Sequence, residues 1–193
     1  MRSSLRILGA VSLALAGLIS GHATTFAKLS VEQLAAAAPL IVLARCVGSI
    51  VEMRGGEIYT ETSFEVREIW KGTAPPLVRV RLLGGRTAEL TSRVPGVPGF
   101  QPGEDVILFL SPRSSGDLSV VSWAQGTFRI RRAAATGQLV VTQDTAGSLV
   151  FNPISKTFES SGVRGKPLDE FRAQIASALS ARGPSSQELG RRP

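Results

Sequence analysis

Few side chains in this sequence suit acid, base or metal chemistry. Histidine, the usual general base near neutral pH and the commonest metal ligand, occurs once, as His22. Cysteine also occurs once, as Cys46, inside Ile41-Val42-Leu43-Ala44-Arg45-Cys46-Val47, a strand-like run in which a thiol behaves as a small buried hydrophobe. One cysteine makes no internal disulfide, so its alternative uses are an intermolecular bridge or a reactive thiol. The serines lack a Gly-x-Ser-x-Gly elbow, a Ser-x-x-Lys pair and a histidine to activate them. Carboxylates remain: Glu61, Glu65, Glu104 and Asp105 would make a glycosidase-like pair if two of them faced one cleft. Glu61 and Glu65, however, fall on the polar side of an alternating strand, where charges are usually solvated. Zinc and redox metals favour His and Cys, and Asp117 or Asp144 alone does not make a calcium loop, so neither a metal nor another cofactor is expected. Gly55-Gly56 and Gly84-Gly85 match no phosphate-binding pattern and are read as turns.

Binding chemistry is better represented. The net charge is +7. Arg129, Arg131 and Arg132, with Phe128 beside them, would give one strand a cationic face of the kind that barrels use with aromatics to stack bases. The same alternation also describes an ordinary solvated surface. The segment Val94-Pro95-Gly96-Val97-Pro98-Gly99-Phe100-Gln101-Pro102-Gly103 is stiffened by its prolines and reads as an exposed loop, with Val97 and Phe100 as candidate contact residues; its plainer role is a crossover connection. Trp70 and Trp123 read as core or bulge-packing aromatics.

These groups must be positioned mainly by strands. Ser30 with Gln33 three places on is a capping box and starts a short helix that Pro39 ends. Leu40 to Val51 is apolar enough for a central strand. After the Gly55-Gly56 turn, Ile58, Thr60, Thr62, Phe64 and Val66 alternate with polar residues, and the alternation slips at Glu68-Ile69-Trp70, which predicts a bulge or the strand's end. Val78, Val80 and Leu82 alternate with Arg79 and Arg81 in a further amphipathic strand. Strands are also predicted at Asp105 to Leu110, Leu118 to Trp123, Gly126 to Arg131, Leu139 to Gln143 and Leu149 to Phe151. Pro167-Leu168-Asp169-Glu170 opens a helix with Leu168, Phe171, Ile175 and Leu179 on one stripe. The expected fold is mainly β: a small antiparallel, OB-like barrel with extra hairpin strands, a short N-terminal helix and a C-terminal helix.

At the N-terminus, Arg2 and Arg6 precede an apolar run from Ile7 to Ile19 and the small-residue sequence Gly21-His22-Ala23. That is the pattern of a secretory signal peptide cleaved after Ala23, and the run is short for a membrane-spanning helix. The expected organisation is a signal peptide over 1–23, a single domain over 24–182 and a flexible tail over 183–193. The processed chain, secreted or periplasmic, then contains no histidine and no transmembrane anchor.

The order LAAAAPLIVLARCVGSIVEM, IYTETSFEVREIWKGTAPPLVRVRLLGG, VPGVPGFQPGEDVILFL and AQGTFRI resembles a group of uncharacterised secreted bacterial β-domain proteins from Ser30 to about Arg131. In architecture the chain also resembles the oligonucleotide/oligosaccharide-binding barrel of tissue inhibitors of metalloproteinases and netrin-like domains. Those inhibitors insert a disulfide-held N-terminal cysteine into a catalytic zinc site. Here the expected mature start is Thr24 and Cys46 has no partner, so that mechanism does not transfer. The resemblance and the missing catalytic groups together imply an exported, non-enzymatic binding or protease-inhibitor-like module. Its partner would be a secreted protein such as a protease, and no nucleic acid is expected. Two rivals stand beside it: an acidic-polymer binder of the cell envelope, and a carboxylate-dependent hydrolase.

Overall fold

The computed structural model describes residues 28–113, 116–145, 149–152, 155–160 and 162–181. The leader and its cleavage site, like the segment from 182 onward, lie outside the described residues. Helix α1 (Val31–Ala37) forms where expected. Ser30 caps it and Gln33 returns the bond to the Ser30 backbone, completing the capping box.

The strands are β1 (Leu40–Arg54), β2 (Glu57–Lys71), β3 (Leu77–Leu83), β4 (Gly85–Arg86), β5 (Thr91–Ser92), β6 (Asp105–Pro112), β7 (Leu118–Val120), β8 (Thr127–Arg132), β9 (Leu139–Gln143), β10 (Leu149–Asn152), β11 (Thr157–Ser160) and β12 (Lys166–Pro167). Helix α2 (Leu168–Ser180) follows. β1 pairs with β2, β2 with β3, β3 with β7, β7 with β6, and β6 with β1, so the sheet rolls into a closed ring of the OB-like kind. The mainly β barrel with a helix near each end is therefore correct. One joint departs from the antiparallel expectation: β3 and β7 run parallel, through Val80 and Leu118. Beyond the ring, β8, β9 and β12 extend the sheet from β6.

The slip in periodicity near Trp70 is a bulge within β2. Ile41 faces Lys71 while Val42 faces Ile69, and a second irregularity separates Leu43/Glu68 from Ala44/Val66. Bulges increase local twist, which a strand of this length needs in order to wrap a small barrel. The Gly55-Gly56 turn carries positive φ at both residues (60° and 83°), which suits a two-residue hairpin.

Burial explains why some strands read as continuous apolar runs and others as alternating ones. In β1 and β6 both faces are covered. Val42, Ala44, Val106, Leu108 and Leu110 point into the barrel, where Phe64, Val78 and Val80 meet them. Ile41, Leu43, Ile107 and Phe109 point out, under α1 and α2. Strands β2 and β3 are covered mainly on one face and so alternate. The stripe on α2 meets the outer core, with Phe171 and Ile175 buried and Leu168 and Leu179 packed at its margin. Arg172 donates to Glu68 at 2.7 Å and lies over the Trp70 ring, tying α2 to β2. Gln174 donates to Glu32, an interaction that holds the Glu32 carboxyl below its usual range and joins the two helices. No described helix is long and apolar enough to cross a membrane.

Three expectations about elements need correction. The strand predicted to run to Trp123 stops at Val120. Ser122 and Trp123 instead adopt left-handed φ (50° each) and lead into a 3-10 turn over Trp123–Gly126. This turn brings Gly126 so close to the preceding chain that a Cβ there would lie 2.2 Å from the Val121 carbonyl oxygen, which is why Gly126 belongs to the turn and β8 begins at Thr127. Last, β11, which pairs antiparallel with β10, and the two-residue strands β4, β5 and β12 go beyond the expected strands, and Gly85, read as part of a turn, lies in β4.

Cys46 is buried inside the barrel, as its neighbours suggested. Burial pushes its thiol pKa up, and thiolate is the reactive form. Alkylation by iodoacetamide should therefore be at least about tenfold slower in the native protein than in denaturant, where local opening no longer limits access. Equal rates under the two conditions would contradict this placement.

Candidate functional site

Each carboxylate considered for catalysis is engaged by an arginine. Arg45 donates through Nε and Nη2 to both oxygens of Asp105 at 2.8 and 2.7 Å. Glu65 pairs with Arg67 at 3.0 Å and Glu104 with Arg129 at 2.7 Å. Glu61 lies 3.1 Å from Arg81. Arg81, on the polar side of an alternating strand, is nonetheless buried at 8 % exposure, because Glu52, Glu61 and Asp117 surround its guanidinium. This cluster fastens β1, β2, β3 and the approach to β7 on the outside of the ring. Among the described residues, no group of His, Cys, Asp or Glu has the arrangement of a metal site.

The four candidate binding residues lie in different settings. Phe128 and Arg129 point to opposite faces of β8, as strand geometry requires, so Phe128 is sealed in the outer core while Arg129 faces the long loop. Arg129 donates to Asp144 (2.7 and 3.0 Å), to Glu104 (2.7 Å) and to the Gly99 carbonyl (2.7 Å), and it lies over the Phe100 ring. The bonds to Asp144 hold the guanidinium pKa above its usual value. Arg129 is thus an internal strut and not part of an open cationic face. Arg131 is exposed, and it borders a shallow recess shared with Glu104 and Asp105. Carboxylates therefore offset the positive charge of this strand.

The loop holding Val97 and Phe100 does not project them outward. Both are half-buried against the barrel core, and Phe100 meets Phe64 edge-on at a ring separation of 4.9 Å. The Gly96 carbonyl accepts from Ala124 N–H and Gly103 N–H donates to the Cys46 carbonyl, so the turn at Trp123, the strut at Arg129 and β1 together hold the loop.

Folded this way, the loop walls a half-open cleft of about 520 Å³ at one end of the barrel, a size common for small-molecule sites. Its floor is the inner face of β1, β2 and β3 where they run past the packed core. Ser49 and Thr62 hydroxyls lie 2.8 Å apart there, and Thr60 donates to the Gly84 carbonyl at 2.7 Å. Gly85 has no room for a side chain, since a Cβ would lie 2.6 Å from the Thr60 hydroxyl. Arg86 and Arg93 stand at the rim, and no carboxylate lines the space. Val97 and Phe100 are among its lining residues, whereas Arg129 and Arg131 are not. Of the lining, Val97 and Phe100 in the wall were legible in the sequence, whereas the hydroxyl floor and the rim arginines were not. The one local signal was the placement of arginine after Gly84-Gly85 and after Thr91-Ser92.

No protein-family model matches this chain, and no curated protein is similar to it.

Proposed function

We propose that this protein is an exported, non-enzymatic binding module that takes its ligand in the cleft at the end of the barrel. The observation that carries the reading is the combination of a preformed space, hydroxyls able to donate or accept, and a wall anchored by Arg129 and the Phe64–Phe100 contact. Catalysis has less support. The carboxylates that would perform it are committed to arginines outside the cleft, and the export pattern removes the single histidine. A second reading, a protein partner such as a secreted protease, is favoured by the β1–β2 hairpin. β1 runs past its last pairing with β6 at Arg45, and Val47, Ile50 and Met53 are exposed there beside an edge that could accept an added strand.

One experiment addresses both. The full chain would be expressed with its leader, recovered from the periplasm, and its N-terminus determined by mass spectrometry, with Thr24 expected. Amide spectra would then be recorded with a panel of sugars, small acids and extended peptides. Saturable shifts at Thr60, Thr62, Gly84 and Gly85, without conversion of the probe, are the expected result. Shifts confined to Ile50 through Met53 on adding peptide would move the site to the hairpin. Probe turnover would refute the non-enzymatic reading.

A further inference from the structure

We infer that the cleft is built for an anionic ligand, specifically the carboxylate of a small hydroxy acid about the size of one sugar unit. The inference rests on the cleft being a binding site and specifies its chemistry. In the β4–β5 ribbon Arg86 lies opposite Thr91 and Gly85 opposite Ser92. Arg93 follows β5 directly and lines the same cleft as Arg86. Both arginines line the cleft and both are exposed.

Elsewhere in the molecule, several arginines on the strands come with counter-ions, whereas others on the surface, such as Arg131 and Arg132, have none among the described residues. Arg45 has Asp105, Arg81 has three carboxylates, and Arg129 has two. Arg86 and Arg93 have no ion-pair partner among the described residues, and Glu89, at the tip of the same ribbon, does not line the cleft. Two like charges held side by side repel, and a shared anion removes that cost while accepting forked hydrogen bonds from both guanidiniums.

The floor defines the rest of the ligand. Of the two hydroxyls in the Ser49/Thr62 pair, one donates to the other, leaving a proton for a ligand, while Thr60 spends its proton on Gly84 and keeps lone pairs free. Such a surface, offering donors and acceptors together, matches hydroxyl groups. A peptide backbone fits it less well, because β2, which supplies Thr60 and Thr62, is paired on both edges and has no ladder to offer.

The test is an amide-shift titration of the recovered protein with glucuronate, succinate and glucose at low and high salt. Glucuronate should bind most tightly, succinate more weakly for want of hydroxyls, and glucose weakest for want of charge. Arg86→Ala and Arg93→Ala should each weaken glucuronate about tenfold, as expected for loss of a charge-assisted hydrogen bond, and Arg131→Ala should leave it unchanged. Both rim residues are exposed, so a circular dichroism melt will show whether the variants remain folded. If glucose binds as tightly as glucuronate in the cleft, or the rim variants bind glucuronate like the parent, the anion assignment is wrong while the cleft stays a binding site. If none of the probes used here and in the wider panel shifts the cleft residues, both the assignment and the reading beneath it are overturned.

Discussion

Phe128→Ala should lower the free energy of unfolding by about 3–5 kcal/mol, the range for truncating a buried phenylalanine. The residue is completely buried, and its ring lies 5.2 Å from Phe109 and 4.7 Å from Phe171. Those partners belong to β6 and α2, so one side chain joins the ring, the added strand β8 and the C-terminal helix. Truncation would leave a space that strand pairing resists closing, because β8 is held at fixed register between β6 and β9. Urea unfolding followed by circular dichroism measures the loss, and Phe128→Leu should recover much of it by keeping volume. A loss below about 1 kcal/mol would mean that α2 does not share a core with the sheet.

Phe128 also shows how far the sequence could be read. Its place in a strand followed from local pattern, and so did the capping box at Ser30, the Gly55-Gly56 turn, the slip at Trp70 and the stripe on α2. Each of these is written within a few residues, at the period of the element concerned. Which way Phe128 points, and against what, depends on α2, more than forty positions later. The parallel joint between β3 and β7 is hidden for the same reason: only three residues, Leu118 to Val120, make β7, and nothing in them names β3 as the partner.

Charge was the harder case. Arginines that alternate with apolar residues look alike whether water or carboxylates face them. Arg81 is buried because Asp117, 36 positions away, folds back onto it, and Arg129 because Glu104 and Asp144, at separations of 25 and 15, converge on it. Pairing at such distances leaves no local trace. It withdraws Arg81 and Arg129 from the surface, so that the arginines with a place at the cleft are Arg86 and Arg93.

The strut at Arg129 leads to a second large effect, one that separates a structural arginine from a ligand-contacting one. Arg129→Ala should cost about 2–4 kcal/mol, since it strands Glu104 and Asp144 as neighbouring, poorly solvated carboxylates, whereas Arg131→Ala on the exposed face should stay within about 0.5 kcal/mol of the parent. Arg129→Lys should recover only part of the loss, because a single ammonium does not span Asp144, Glu104 and the Gly99 carbonyl together. Urea unfolding measures the stability, and the double variant Arg129→Ala/Asp144→Ala should be less destabilised than the sum of its parts. The loop should feel the change before the barrel does. Freed from Arg129, Gly99 and Phe100 lose their tie to β8, so amide exchange in residues 97 to 101 should accelerate while that of β1 and β6 stays slow. Ligand affinity would then fall although Arg129 does not line the cleft, because a wall that must be ordered on binding adds its entropy to the cost. If Arg129→Ala and Arg131→Ala were equally stable, the loop would not be held from β8, and the preformed wall on which the binding reading depends would have lost its support.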